Sequence, residues 1–442
     1  MQLPADVLQC MDTLERAGFA AYAVGGCVRD LILGLQPQDY DLCTNALPKE
    51  IQAVFSGHTL VLAGVKHGTV GVVCHGEVIE ITTYRTEGGY SDNRHPDWVR
   101  FVPDIREDLA RRDFTVNAMA WSPKRGFADP FGGQQDLKSR ILRAVGNPTQ
   151  RFQEDALRIL RGARFAAKYR LNIQEETLNA MFAQRQLMDG LARERIFSEL
   201  CKLITAATRE DLLLYAPILT QVIPELAPME GFDQRNPYHT YDLYTHTAAV
   251  TAGVPGELSL RLAALLHDVG KVDTFTVDAD GRGHFYGHEA KSAELAKDIL
   301  HRLKAPTALT EQVVTLVGLH MHWLVPERKP LRRWLSRLGE STLRQLIALQ
   351  HADLHGKGNP PETDHTPELY DLLDTLLQED LCLSLKDLAV DGHDLIAIGF
   401  PPGKALGVCL QSLHSRVLDE QLPNEKNALL RAAAELLPPE FI

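Results

Sequence analysis

Apolar positions recur along the first third of the chain in two rhythms. Residues 5–17 repeat at the three-to-four spacing of an amphipathic helix, whereas residues 21–26 (AYAVGG) and 39–44 (DYDLCT) are short runs of strand type. Residues 28–33, between them, return to the helical rhythm. Residues 69–74 and 78–84 are β-branched runs that meet at His75 and Gly76, a hairpin signal. Residues 87–96 (EGGYSDNRHP) are polar and glycine-rich, which predicts a mobile loop. From about Asn147 the strand patterns stop. Helical periodicity then covers residues 150–169, 175–188, 193–207 and 209–216. Breakers cluster from Pro224 to Pro237, and a second helical stretch runs from near Tyr238 to about residue 377. The final stretch, 378–442, holds the turn GFPPGK (399–404) and a closing amphipathic helix. The expected fold class is an α/β head with a mixed sheet, followed by an all-α neck, body and tail. The expected boundaries are 1–146, 147–207, 208–377 and 378–442.

Composition changes this picture little. A chain of 442 residues with 45% hydrophobic content suits two to four domains with ordinary cores. Its net charge of −12 argues weakly against nucleic acid, but local patches decide binding, not totals. The seven cysteines are scattered without a C-x-x-C pair, as in a reducing compartment. The N-terminus carries Asp6, Asp12 and Glu15 and lacks a basic, apolar leader layout, and no run of about 18 apolar residues occurs. A cytoplasmic protein without a membrane span is expected.

The densest chemistry lies at Gly25-Gly26-Cys27-Val28-Arg29-Asp30, followed by Asp39-Tyr40-Asp41. Two glycines where a strand meets a helix let backbone N–H groups approach a triphosphate. Two carboxylates at i and i+2 on a strand share a face and can hold Mg²⁺ for phosphoryl transfer. A lone D-x-D or G-G is usually a strand end or a turn; their joint appearance is more specific. This stretch resembles motif A of the class II tRNA nucleotidyltransferases, relatives of the bacterial poly(A) polymerases. The resemblance implies Asp39 and Asp41 as metal-binding carboxylates, with Glu80 a candidate third. The block from Arg111 to Ala118 (RRDFTVNA) looks like the family's ribose-reading motif, placing Arg111, Arg112, Asp113 and Asn117 at the nucleotide.

A third block is Glu154-Asp155-Ala156-Leu157-Arg158. At i, i+3 spacing Asp155 and Arg158 share a helix face, and a surface salt bridge is the ordinary outcome. The functional alternative is base selection. Cytosine and adenine each present an amine donor beside a ring-nitrogen acceptor, so an Asp acceptor next to an Arg donor matches both. Guanine and uracil would meet two mismatches, each on the order of 1–3 kcal/mol when desolvated. The family's motif D supports that role. Arg161, Arg164 and Lys168 continue a basic stripe on the same helix, suited to phosphates. Residues 192–200 resemble the family's motif E and read as mainly structural. The loop 85–96 matches the family's flexible loop at full length, which implies switching from C to A addition; His95 departs from the arginine more usual there.

A second constellation comprises His246, His267, Asp268, His288, His320 and Asp353. His267 and Asp268 end an apolar helical run (RLAALLHDVGK), where an unpaired carboxylate would be costly and metal ligation would remove the cost. The set looks like an HD-family phosphohydrolase site, within about 238–355. The resemblance implies His246, His267, Asp268 and Asp353 as core ligands, with His288 and His320 completing a second metal position or touching phosphate. The metal would be Ni, Mn, Co, Fe, Zn or Mg. His239 and His322 read as bystanders. In the tail, Asp391–Leu395 and Ile398–Lys404 resemble the family's tRNA-contacting region.

The expected activity is template-independent addition of CCA to the 3′ end of tRNA from CTP and ATP, with Mg²⁺ in the head. No DNA or membrane partner is expected. Two alternatives stay open: A-only addition or poly(A) synthesis, and a metal phosphohydrolase with an RNA-binding head.

Overall fold

The computed structural model describes residues 1–89, 98–236, 240–359, 363–379 and 382–437. Two compact units emerge: residues 1–227 with 302–304, and residues 228–301 with 305–442.

The first unit opens with the helix Ala5–Arg16, which buries Val7, Cys10, Met11 and Leu14 along one face. Nine strands follow: β1 (Ala21–Val24), β2 (Asp41–Thr44), β3 (Leu60–Val61), β4 (Thr69–Cys74), β5 (Glu77–Thr83), β6 (Arg85–Gly88), β7 (Trp98–Phe101), β8 (Ala120–Ser122) and β9 (Gly126–Ala128). Seven of them form one sheet in the order β3-β4-β5-β2-β1-β8-β9. Only β2 and β5 run parallel, so the sheet is mixed, as the sequence predicts. Their register sets Asp41 beside Glu80. The β4–β5 turn uses His75 (φ 48°) and Gly76 (φ 92°), both left-handed, which suits the twist of a tight hairpin.

Part of the expected loop is a ribbon. β6 pairs antiparallel with β7, and Gly88 lies opposite Trp98. A Cβ at Gly88 would stand 2.6 Å from the indole ring, so the close pairing of this ribbon depends on glycine. The rest of the loop, with His95, lies outside the described residues, as does His239 in the body.

The expected helix over 150–169 is two helices, Pro148–Glu154 and Leu157–Tyr169. Asp155 breaks them apart with extended backbone (φ −143°, ψ 104°), and its carboxylate accepts from the Leu157 N–H at 3.1 Å. A residue whose side chain caps a helix is a poor member of the helix before it. Periodicity misses this because the apolar spacing continues across the break. Further helices are Glu175–Gln184, Arg193–Ala206, Arg209–Leu214 and Ala216–Val222. Strands also persist past Asn147: Asn172–Ile173 pairs with Ile141–Leu142, and in the second unit Thr276–Val277 pairs with Gly283–His284.

The second unit is otherwise helical, with Leu243–Gly253, Leu258–Leu266, His288–Arg302, Thr307–Leu319, Arg328–His355 and Thr366–Leu377. Gly339 (φ 73°, ψ 166°) interrupts the longest of these. The tail helices Gly392–Ala397, Lys404–Leu418 and Lys426–Ala434 close over a small core of their own that includes Leu395, Phe400, Cys409, Leu413, Val417 and Leu429. Among the described residues, no helix is long and apolar enough to cross a membrane.

Candidate active site

A cavity of about 740 Å³ opens in the first unit, within the usual size range of small-molecule sites. Gly25, Gly26, Arg29, Asp39, Asp41, Arg111, Arg112, Asp113, Asn117, Asp155, Arg158, Arg161 and Arg164 all line it. Every head residue nominated from the sequence, Glu80 excepted, is therefore brought to one space.

Its acidic part comes from the end of β1 and the start of β2. Gly25 needs a left-handed backbone (φ 75°), and a Cβ there would stand 2.7 Å from Nη1 of Arg112. Its N–H donates to the Met119 carbonyl at 3.0 Å. Gly25 thus spends its own N–H on the chain beside it. β2 begins at Asp41, so Asp39 precedes the strand and the alternation of strand faces does not fix it. Burial raises the Asp41 carboxyl above the ordinary range; Arg112 opposes this, and the Glu80 and Asp39 carboxylates add to it. Crowded carboxylates of this kind favour a bound cation, and an all-oxygen donor set fits Mg²⁺.

The rest of the wall is a lattice of arginines, each held by a carboxylate. Asp108, buried at 1% exposure, accepts from Arg111 at 2.9 Å and from Arg112 at 3.4 Å. Asp113 accepts from Arg161 at 2.7 and 2.9 Å, from Asn117 Nδ2 at 3.1 Å and from the Phe114 N–H at 2.8 Å. Burial would raise its carboxyl, but Arg161 and Asn117 prevail and hold it down at about 2. Arg29 is buried; it bonds Asp30, Asn117 and the Tyr169 hydroxyl, and lies 4.2 Å over the Tyr169 ring. Arg164 pairs with Glu199 at 2.6 Å and lies 4.0 Å over Phe165. The basic stripe thus lines the cavity, with Arg161 and Arg164 as neutralised pairs and Lys168 5.0 Å over the Tyr169 ring.

Asp155 and Arg158 both line the cavity but do not share a helix face, because Asp155 stands in the break. Each pairs elsewhere. Asp155 accepts from Arg195 at 3.1 Å. Arg158 donates to Glu154 at 2.8 Å and to the carbonyls of Arg151 and Arg111 at 3.1 and 2.9 Å. Three of its five N–H donors are so engaged.

Sequence reasoning missed Asp108, Phe165, Tyr169 and the role of Arg195. The aromatics carried a signal: Phe165 and Tyr169 follow Arg161 at successive i+4 steps, which sets them on the face of the basic stripe. Arg195 read as packing, yet it reaches Asp155 from the helix Arg193–Ala206.

The second constellation also converges. Four imidazoles donate through Nδ1 to a backbone carbonyl: His246 to Gly356 (3.0 Å), His267 to Ala264 (2.7 Å), His288 to Phe285 (2.8 Å) and His320 to Val317 (2.6 Å). A carbonyl can only accept, so each Nδ1 carries the proton and each Nε2 presents a lone pair when the ring is neutral. The Nε2 atoms of His246 and His267 are 3.4 Å apart, and those of His288 and His320 are 3.3 Å apart. Asp268 sits between the pairs, 3.3 Å from His246, 3.2 Å from His267 and 3.3 Å from His288; Asp353 lies 3.1 Å from His246. Lys271 reaches Asp268 at 2.7 Å. Burial disfavours charge on His246, but Asp268 and Asp353 push it up to about 9; burial and His267 push His320 down to about 4. His322 stays apart, with its ring edge-on to Trp334.

The comparisons with known proteins agree with this geometry. The family described as the poly(A) polymerase head domain matches residues 21–143. The probable RNA- and SrmB-binding site of polymerase A matches residues 170–230, and tRNA nucleotidyltransferase domain 2 (putative) matches residues 288–433. The mixed sheet and its cavity thus define a nucleotidyltransferase head. The CCA-adding enzyme of Levilactobacillus brevis is 35% identical over 430 residues, 96% of each chain. That of Limosilactobacillus fermentum is 33% identical over 427 residues, 97% of this chain and 96% of the relative. The crystal structure of the Bacillus stearothermophilus CCA-adding enzyme in complex with CTP superimposes with a TM-score of 0.74 at 27% identity, covering 98% of both chains. The chain belongs to the family of CCA-adding enzymes.

Proposed function

We propose that this protein adds C, C and A in turn to the 3′ end of tRNA, taking CTP and ATP in the cytoplasm, without a nucleic acid template. The carrying observation is that Asp155 and Arg158 line the same cavity as Asp39 and Asp41. Base choice and phosphoryl transfer can therefore occur in one pocket made of protein alone. Arg158 is clamped by Glu154 and two carbonyls, so its remaining donors are fixed in direction. Each Asp155 oxygen holds one protein donor, from Leu157 or Arg195, and a carboxylate oxygen has room for another. Together they can meet the amine and ring nitrogen of cytosine or adenine. Asp113 and Asn117 would read a ribose hydroxyl, and the arginine wall would take the triphosphate charge. Asp39 and Asp41, with Glu80 beside them, would hold Mg²⁺, which when bound neutralises phosphate charge and favours attack by the 3′-hydroxyl. The tail around Asp391–Lys404 is the proposed contact for the body of the tRNA.

The test is incorporation of labelled CTP and ATP on two tRNAs, one lacking CCA and one ending in CC. Two C additions followed by one A are expected. Extension only of the tRNA ending in CC would favour an A-adding enzyme. Asp41→Ala should abolish incorporation.

A second activity is proposed for the body: metal-dependent hydrolysis of phosphorylated or cyclic-phosphate RNA ends. Four Nε2 atoms converge with two buried carboxylates, and such an imidazole–carboxylate donor set suits Ni, Mn, Co, Fe, Zn or Mg. The core ligands would be His246, His267, Asp268 and Asp353, with His288 and His320 beside them. A bound metal would polarise a phosphoryl oxygen and supply hydroxide near neutral pH. The check is metal content together with hydrolysis of 2′,3′-cyclic AMP. Chelator-free protein that holds no metal and hydrolyses nothing with Ni²⁺, Mn²⁺, Co²⁺ or Mg²⁺ would reduce this region to scaffold.

A further inference from the structure

A third cluster of metal-ligating side chains lies outside both sites. His351 and His355 occupy i and i+4 on the last turns of the helix Arg328–His355, and Asp364 stands just before the helix Thr366–Leu377. Both rings aim at one carboxylate oxygen: His351 Nδ1 is 3.1 Å and His355 Nε2 is 2.9 Å from Asp364 Oδ2. The ring centroids are 4.3 Å apart. The other oxygen, Oδ1, accepts from the Thr366 N–H at 3.0 Å, and the Thr366 hydroxyl lies 3.1 Å from His351 Nδ1. The carboxylate is thus anchored, not free to swing.

We propose that His351, His355 and Asp364 form a divalent-metal site of the zinc class, which ties the end of one helix to the start of the next. Two imidazole nitrogens and a carboxylate oxygen are a three-ligand set that Zn²⁺ accepts, with water in the fourth position. In a tetrahedral site with ligand bonds of roughly 2.0–2.1 Å, neighbouring donor atoms are about 3.3 Å apart. The observed 2.9 and 3.1 Å therefore need an adjustment of only a few tenths of an ångström. The imidazole side chains are 41% and 45% exposed, which leaves an entry path and a position for water. The donor set selects Zn²⁺, Ni²⁺ or Cu²⁺ over Mg²⁺ or Ca²⁺.

The site is separate from the buried cluster. Asp353 lies two residues from each histidine, and two residues along a helix turn it by about 200°. Asp353 therefore faces the interior while His351 and His355 face outward, so one helix presents ligands to two places. A metal at the outer position would tie the end of one helix to the start of the next, which should resist fraying of both.

The experiment uses the tag-free, full-length chain, stripped with chelator and then titrated with Zn²⁺ by calorimetry and equilibrium dialysis. The variants are Asp364→Asn, the double variant His351→Ala/His355→Ala, and Asp268→Asn as a control for the buried cluster. The wild type and Asp268→Asn should show a Zn²⁺ site that Asp364→Asn weakens at least tenfold and the double variant lacks. Zn²⁺ should also raise the melting temperature of Asp268→Asn and not that of a triple variant that adds His351→Ala and His355→Ala to it. Protection supplies an arm that needs no variant: Zn²⁺ should shield His351 and His355 from diethylpyrocarbonate, read by mass spectrometry. Equal Zn²⁺ stoichiometry and affinity in wild type and double variant, or modification of both histidines at the same rate with and without Zn²⁺, would overturn the proposal. Failure of the buried cluster to bind metal would appear in the wild type against Asp268→Asn and would leave this site untouched.

Discussion

Replacing Asp113 by Asn removes one charge from the arginine lattice while keeping its shape. Asp113 is 8% exposed and accepts four hydrogen bonds, from Arg161 (two), Asn117 and the Phe114 N–H. An amide offers only one accepting end. With its oxygen toward Arg161, its NH₂ meets the Phe114 and Asn117 donors; flipped, it meets the guanidinium. A carboxyl held down from 3.8 to about 2 contributes about 2 kcal/mol at neutral pH. The sign follows from the direction of the shift. The contribution is complete above the unfolded value and is lost as pH falls through the folded one, so about half remains near pH 3. Hydrogen exchange followed by mass spectrometry suits a chain of two units, because peptides over 105–120 report the first unit alone. At pH 7 the variant should lose roughly 30-fold protection there, the equivalent of about 2 kcal/mol. The gap from wild type should narrow between pH 5 and pH 3. A loss below threefold at pH 7, or a gap that stays constant down to pH 3, would refute the claim that the ion pair supports this part of the fold.

Three further outcomes follow from the same geometry. Gly25→Ala must hold a left-handed backbone and push Arg112 aside, so a loss of about 1–3 kcal/mol in stability is expected, with nucleotide incorporation falling alongside; an alanine variant with native melting and turnover would contradict it. Arg195→Ala frees one oxygen of Asp155 and should raise KM for CTP and ATP about tenfold or more while leaving the melting temperature within a few degrees; unchanged KM would make the Arg195–Asp155 pair incidental. Asp268→Ala should lower bound metal and remove hydrolysis of 2′,3′-cyclic AMP with CTP and ATP incorporation nearly unchanged; retained hydrolysis would move the proposed site elsewhere.

The mixed-sheet head was legible in its centre, where β4 and β5 are β-branched runs that meet at a turn and β1 and β2 are short apolar runs beside the glycines and the D-x-D; β3, β8 and β9 are too short to show such a pattern. The cavity was legible residue by residue, since motif spacing carried the nominated side chains of the head to one place, Glu80 apart. Its internal pairing was not. Whether Arg158 meets Asp155 or Glu154 depends on a single backbone break at Asp155, and an apolar repeat that runs through the break cannot show it. Asp108 escaped notice for a related reason: in sequence it is one acid among Asp104, Glu107 and Asp108, and only the fold buries it beneath Arg111 and Arg112. The ring tautomers of the second site were equally hidden, because they follow from carbonyls three residues earlier in the chain and on the distant Gly356.

The pairing also reconciles an acidic chain with an anionic substrate. Arg29, Arg111, Arg112, Arg158, Arg161, Arg164 and Arg195 each contact a carboxylate, so the wall carries little net charge before a nucleotide arrives. Seven unpaired guanidinium groups in one cavity would repel one another and would sample many orientations. Carboxylate partners and the Phe165 and Tyr169 rings remove both difficulties: they lower the repulsion and fix the direction of each N–H. In the proposed reading a triphosphate would then meet a set of oriented donors, able to stabilise developing charge without rearranging. On the proposed base-selecting role of Asp155 and Arg158, the same reasoning would make a nucleic acid template dispensable. A template selects a base by presenting rigid donors and acceptors; a guanidinium clamped by Glu154 and two carbonyls, beside a carboxylate anchored by Arg195 and the Leu157 N–H, can do so with protein groups alone.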